Sequence, residues 1–173
     1  PVPVKLKKFL LLTTLMILGQ LILGASMRHQ HAGLAVPDFP LAHGQLWPAT
    51  DAAALESYNA KRLDVLDFKP ITAAHIHLHL AHRLWAFVVF GHVLGAWLKL
   101  RRTLGAAHPL ARGGGAWFAL LCVQLGLGIW TVLSNKAADI ATLHVVVGAA
   151  SLVTGALLTL LANAAAARSN AEN

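Results

Sequence analysis

Apolar positions along the chain gather into four long runs, Phe9 to Met27, Thr72 to Leu98, Ala116 to Leu133 and Ile140 to Ala162. Each is close to the ~20 residues that a helix needs to cross a hydrocarbon core. The pattern predicts an all-α fold, an integral membrane four-helix bundle, with residues 1–173 as one four-span domain and no room for a separate soluble one. The connections are unequal. Arg28 to Ile71 is a long outer loop between helices 1 and 2 that carries Asp38, Asp51, Glu56, Asp64 and Asp67, whereas Ser134 to Asp139 is a short turn. Loops of that length are usually functional or disordered. Pro37, Pro40, Trp47 and Pro48 stiffen its first half, and the mix of Ala, Leu and charge over Ala49 to Lys69 predicts a short helix lying on the membrane. Pro70 then opens the second span at a first-turn position that helices tolerate.

Composition strengthens the membrane reading. Hydrophobic residues make up 57% and charged residues 12%, with a mean hydropathy of +0.61, where soluble domains carry about 25% charged residues. Charge placement then sets orientation. Lys5, Lys7 and Lys8 precede the first run, Lys99, Arg101, Arg102 and Arg112 separate the second from the third, and Arg168 follows the fourth, so eight of the fourteen basic residues share one side. Basic residues at span ends stay cytoplasmic. The expectation is a multi-pass protein of a bacterial-type inner (plasma) membrane with both termini cytoplasmic. The net charge of +7 is thus a topology signal toward membrane lipid; it forms no separate patch, which argues against a nucleic-acid partner. Lys5 to Ser26 could instead be a secretory signal, but its long apolar core, Gln20 and Arg28 suit a retained span. Cys122 is the single cysteine, so no intrachain disulfide can form.

The chemistry sits in histidines. His79-Leu-Ala-His82-Arg83 lies near the head of the second run and His144 near the head of the fourth. Ionisable side chains are costly inside a bilayer and mark function by default. At about 100° per residue, His75, His79 and His82 share one stripe of the second helix and His77 points away. Two histidines on facing helices suit haem iron, with His82 and His144 as axial ligands and Arg83 as the cation for a propionate. His92 lies deeper and off the stripe, with no histidine at its depth elsewhere, and reads as an imidazole hydrogen-bonded across helices. An alternative is a copper or zinc site on the outer face built from His75, His79, His29, His31 and His43.

A short repeat supports the facing pair. Gln20-Leu-Ile-Leu-Gly24 in the first run matches Gln124-Leu-Gly-Leu-Gly128 in the third, and each is followed by a connection and a histidine-bearing run. Two such units packed face to face set His82 against His144 at similar depth. The plainer alternative is that such Gln and Gly patterns are common where membrane helices pack closely.

The loop stretch Gly33-Leu-Ala-Val-Pro-Asp-Phe-Pro-Leu-Ala-His-Gly-Gln45, the His82-Arg83 pair, Gln124-Leu-Gly-Leu-Gly-Ile-Trp-Thr-Val-Leu133 and Ala141-Thr-Leu-His144 together resemble the haem A synthase family. Members resemble two fused four-helix bundles, each holding haem near the outer face through a histidine pair, and this chain is similar to one bundle. The resemblance implies a haem cofactor (haem B, haem O or haem A) and oxidation of the haem O methyl group to the formyl of haem A for cytochrome oxidase biogenesis. His82, His144 and Arg83 would bind the haem, and His79 or Asp38 would assist catalysis. Two departures stand out: the family often has cysteines where Val36 and Ala42 stand, and its catalytic bundle usually has a glutamate where His79 stands. The other function class left open is a non-catalytic haem carrier or b-type electron-transfer subunit, working as a homodimer or with cytochrome oxidase assembly factors.

Overall fold

The computed structural model describes residues 2–62 and 69–171, with side chains through residue 164. Among these the chain is all-helical: α1 (Val4–His29), α2 (Ala52–Ala60), α3 (Ala73–Leu104), α4 (Pro109–Leu133) and α5 (Ala138–Ala171), plus one 3-10 turn at Ala32–Leu34. Four of these, α1, α3, α4 and α5, are long and apolar enough to cross a membrane. They run well past the apolar stretches that predict them. Lys5, Lys7 and Lys8 continue α1 backwards and Lys99 to Arg102 continue α3 forwards, because Lys and Arg are good helix formers whose long stems reach back over apolar surface.

Breaks fall where the chemistry demands. Gly105 ends α3 at φ 87, a left-handed value that glycine adopts without strain. Pro109 opens α4 four residues later, with the His108 side chain accepting the Leu110 N–H. Between α4 and α5 the chain turns on Asn135 and Lys136, both at positive φ.

The four long helices pack in a ring, α1 against α3, α3 against α4, α4 against α5 and α5 back against α1, so α3 and α5 stand on one diagonal and α1 and α4 on the other. Small residues bring the backbones together. A Cβ on Gly114 would meet Leu100 Cδ1 at 2.9 Å, one on Gly113 would meet Leu158 Cδ2 at 2.8 Å, and one on Gly155 would meet Trp117 Cζ2 at 2.5 Å. Such close approach is how membrane helices gain packing energy where lipid offers no hydrophobic drive. Trp117 is fully buried there, its indole N–H donating to the Ser151 carbonyl at 2.9 Å.

The apolar core is thus in two parts. One, around Leu10, Val93, Leu100 and Trp117, fills the half of the bundle holding the α3–α4 turn. The other is a small cluster of Ala32, Ala35, Val36, Ala42, Ile71, Ile76 and Leu80 that seats the long loop on the opposite end. The short helix expected over 49–69 is α2, nine residues capped by Asp51, whose carboxylate accepts the Ala54 N–H at 3.0 Å. Residues 63–68, including Asp64 and Asp67, lie outside the described residues, as does the Arg168 side chain. Asn59 of α2 accepts the Ile71 N–H at 2.7 Å and donates to the Ile71 carbonyl at 3.0 Å. This helix is therefore moored to the start of α3 as well as facing outward.

Candidate functional site

His82 and His144 come from the diagonal helices α3 and α5, at the loop end of the bundle and within electrostatic reach of each other. Each is backed by one of the other two helices. From α1, the Gln20 amide Nε2 lies 3.2 Å from His82 Nε2 and donates to the His82 carbonyl at 3.1 Å. One turn on, a Cβ on Gly24 would stand 3.2 Å from His82 Cε1. From α4, a Cβ on Gly128 would stand 3.0 Å from His144 Cε1, and Gln124 lies one turn before it. The sequence repeat is therefore a structural one, with a Gln-x-x-x-Gly helix laid against each histidine. His82 Nδ1 and His144 Nδ1 are both buried without a hydrogen-bond partner.

His79 and Arg83 hold the loop against α3. His79 is 2% exposed, and its Nδ1 accepts the Val36 N–H at 3.3 Å. Arg83 donates from Nη2 to the carbonyls of Asp38 (2.7 Å) and Val36 (3.0 Å) and from Nη1 to that of Leu41 (3.1 Å). Its guanidinium also lies 5.8 Å from the centre of the Phe39 ring. Two of the five donors of an arginine fork remain for another acceptor.

Asp38 holds the next turn of the loop. Its two oxygens accept the N–H groups of His43 and Gly44, each at 2.7 Å. Burial pushes the carboxyl up, but those two backbone donors, together with Asp38's own N–H and the electrostatic effect of His43, hold Asp38 below its ordinary value of 3.8. His43, at φ 51, stacks on Tyr58 of α2 with ring centres 3.6 Å apart, and its Nε2 lies 2.8 Å from the Ala35 carbonyl. Val36 and Ala42, where the resembling family often has cysteines, are buried together in the loop's apolar cluster.

The other histidines take separate tasks. His75 completes a capping box at the start of α3: Thr72 Oγ1 accepts the His75 N–H, and His75 Nδ1 accepts the Thr72 N–H, each at 3.4 Å. The stripe expected to face one ligand thus splits three ways: the cap of α3 takes up His75 and the loop backbone takes up His79, each through Nδ1. His92 hydrogen-bonds within its own helix, to the Val88 carbonyl at 3.0 Å, and its contact with α1 is stacking on Phe9, not the expected cross-helix hydrogen bond. Among the described residues no group of three or more His, Cys, Asp or Glu side chains could hold a metal ion. The five histidines of the outer-face copper or zinc alternative are thus not gathered into such a group. Sequence reasoning passed over two roles: the glutamines as neighbours of the histidines, signalled by the common repeat, and Tyr58 as the floor under His43, signalled by nothing in the local pattern.

What remains is a two-imidazole site that fits haem iron. Imidazole is a standard axial ligand, the two rings come from opposite helices, and each has a glycine beside it where any side chain would crowd the ring. The orphaned Nδ1 atoms show that protein partners alone do not complete these side chains.

Comparison with known proteins agrees with that chemistry. The chain spans only about a third of the length of the curated relatives it matches: it is 35% identical over 146 residues to a Heme A synthase of Rhodopseudomonas palustris strain TIE-1, covering 82% of this chain and 36% of that protein. A Heme A synthase of Agrobacterium fabrum is 31% identical over 136 residues, 79% of this chain and 34% of that protein. A third, from Rhodopseudomonas palustris strain HaA2, is 31% identical over 157 residues, 91% and 40% respectively. No solved structure matches. The family model described as cytochrome oxidase assembly protein matches residues 1–157, nearly the whole chain and both histidine-bearing units, and the chain belongs to that family.

Proposed function

We propose that the chain binds haem between His82 and His144 and serves haem A formation, oxidising the haem O methyl group to the formyl group that cytochrome oxidase requires. The observation that carries this is the duplicated unit: two imidazoles, each set against its own Gln-x-x-x-Gly helix, with their Nδ1 atoms left unmatched. Relatives named Heme A synthase, aligned over 79–91% of this chain, supply the reaction class. When bound, haem supplies the ferric/ferrous chemistry. The chain's own residues hold the ligand pair, close the loop above it through His79, Arg83 and Asp38, and keep two Arg83 donors for a propionate. Whether haem B, haem O or haem A is held is decided by extraction and mass analysis.

A second reading has a specific observation behind it. His79 and Asp38, the residues expected to assist catalysis, are both committed to loop backbone, His79 to the Val36 N–H and Asp38 to those of His43 and Gly44. That favours a haem-holding assembly subunit that leaves haem O unconverted. One experiment separates the two. The chain is expressed in a host that makes haem O and lacks its own haem A synthase, and extracted haems are identified. Haem A supports the enzyme, and bound haem without haem A supports the carrier. In either case His82→Ala and His144→Ala should each abolish the low-spin bis-histidine spectrum; unchanged Soret and alpha bands in both would sink the ligand assignment.

A further inference from the structure

Among the described residues, four buried side-chain nitrogen or oxygen atoms have no hydrogen-bond partner: Gln20 Oε1, His82 Nδ1, Gln124 Oε1 and His144 Nδ1. An unpaired buried polar atom loses its hydration without compensation, and native proteins keep few. All four fall in one site, as two copies of the same pair, at positions related by the sequence repeat. In each copy the amide carbonyl can only accept, and a ring nitrogen that carries the proton can only donate. The two kinds of orphan are complementary.

Their complement matters once iron takes one ring nitrogen. The other N–H of a metal-bound histidine is normally given to an acceptor, which fixes the ring and raises its basicity as a ligand. The Gln20 amide already lies against His82, its Nε2 3.2 Å from the ring Nε2 and donating to the His82 carbonyl at 3.1 Å, and a half-turn of the amide would present its unpartnered Oε1 to a ring N–H there. Gly24 and Gly128 contribute no side chain beside the Cε1 edge, and Gln124 lies one turn before Gly128 as Gln20 does before Gly24, its Nε2 2.9 Å from where a Cβ on Gly148, one turn beyond His144, would stand. We propose that Gln20 and Gln124 are the positioning residues of the haem ligands: each orients its imidazole and provides the acceptor for the ring N–H, and together they set the reduction potential of the iron. This rests on the haem-binding reading above and adds what tunes the ligands.

The test uses the full chain purified with its haem. Gln20→Leu and Gln124→Leu remove the acceptor, and Gln20→Glu and Gln124→Glu strengthen it. Midpoint potential and low-spin EPR g values are measured at matched haem content. A less basic imidazole stabilises ferric iron less, so the leucine variants should titrate above the native protein and the glutamate variants below it. The expected size is about tenfold in ferric-to-ferrous preference, ~59 mV for one electron. The larger shift is expected at Gln20, because backbone of Gln124 also faces His144. A leucine variant that carries no haem, beside a glutamate variant that loads and titrates low, supports the same assignment. Native potentials and g values in both loaded leucine variants overturn it, as do native values in the glutamate variants where the leucine variants stay empty. A native chain that carries no haem overturns the haem-binding reading itself, and this inference with it.

Discussion

Gly24 and His82 meet across the α1–α3 seam so closely that a Cβ on the glycine would stand 3.2 Å from Cε1 of the ring, and Gly128 repeats the contact on His144 at 3.0 Å. Each imidazole must give by a few tenths of an ångström if its neighbouring helix gains a side chain there. Gly24→Ala and Gly128→Ala should each lower haem affinity by about tenfold or more, the range seen when support around a metal-bound histidine is disturbed. The effect should be the stronger at Gly128, where the gap is tighter. Haem-to-protein ratios on titration of the purified variants check this; native ratios in both would show that the rings have room to move.

Arg83 ties three loop carbonyls, those of Val36, Asp38 and Leu41, to α3. A lysine keeps the charge but is a compact donor without the planar fork. Arg83→Lys should therefore loosen the loop nearly as much as Arg83→Gln, with a loss of roughly 3–6 kcal/mol in local stability if two of the three charged hydrogen bonds go at their usual share. Hydrogen exchange at the amides of residues 36–45 reads it. Full protection in the lysine variant would mean that charge alone suffices.

Much of this arrangement was legible in the sequence. The apolar runs placed all four membrane helices, since length and hydropathy decide a span with little help from context. The Gln-x-x-x-Gly repeat located both histidine units, because a repeated helix pair repeats its contacts. The fates of His75 and His79 were not legible. Helical periodicity puts them on the stripe of His82, but which of the three a ligand can reach depends on where the loop backbone lands, and Val36 reaches His79 across 43 positions of sequence. The stacking of Tyr58 on His43 was hidden for the same reason.

Asp38 makes the loop acid-sensitive in a defined direction. Its folded value lies below the ordinary 3.8 because the Gly44 and His43 N–H groups, with its own N–H and the electrostatic effect of His43, together outweigh the cost of burial. Its contribution is therefore fully present above the unfolded value and lost as pH falls through the lowered folded one. A dye on Leu46→Cys, a site 90% exposed, in a Cys122→Ser background should report an unchanged loop from neutral pH down to about pH 4 and opening only below it. Asp38→Asn offers one acceptor to two N–H groups. It should open the loop partly at neutral pH and flatten the acid transition, whereas a transition that persists unaltered in this variant would assign the titration elsewhere.

Orientation in the membrane follows from the basic flanks. Lys5, Lys7, Lys8, Lys99, Arg101 and Arg102 crowd the end of the bundle opposite the loop, and the positive-inside rule predicts that this end is cytoplasmic. In the same Cys122→Ser background, an impermeant thiol reagent added outside intact cells should label Asp51→Cys and spare Arg102→Cys. The reverse labelling would put the histidine pair near the cytoplasmic face and remove the charge argument.

His79 stands where the resembling family's catalytic bundle usually has a glutamate, and its surroundings define what it can do. The ring is 2% exposed and its Nδ1 accepts the Val36 N–H, so that nitrogen is not available as a base while the loop is closed. If His79 acts as a loop anchor, His79→Ala should increase exchange at Val36 and its neighbours, as Arg83→Gln does, and leave the low-spin spectrum in place because His82 and His144 are untouched. Any haem A made by the native chain should then fall in proportion to loop opening across His79→Ala, Arg83→Gln and Asp38→Asn. A catalytic His79 predicts a different pattern: haem A lost in His79→Ala alone, with loop protection close to native. His79→Glu sharpens the contrast, since a carboxylate can still accept the Val36 N–H. As an anchor it should restore loop protection to His79→Ala, and as the missing acid it should raise haem A above the native level. Haem A raised above native without restored protection would overturn the anchoring role and return position 79 to the chemistry.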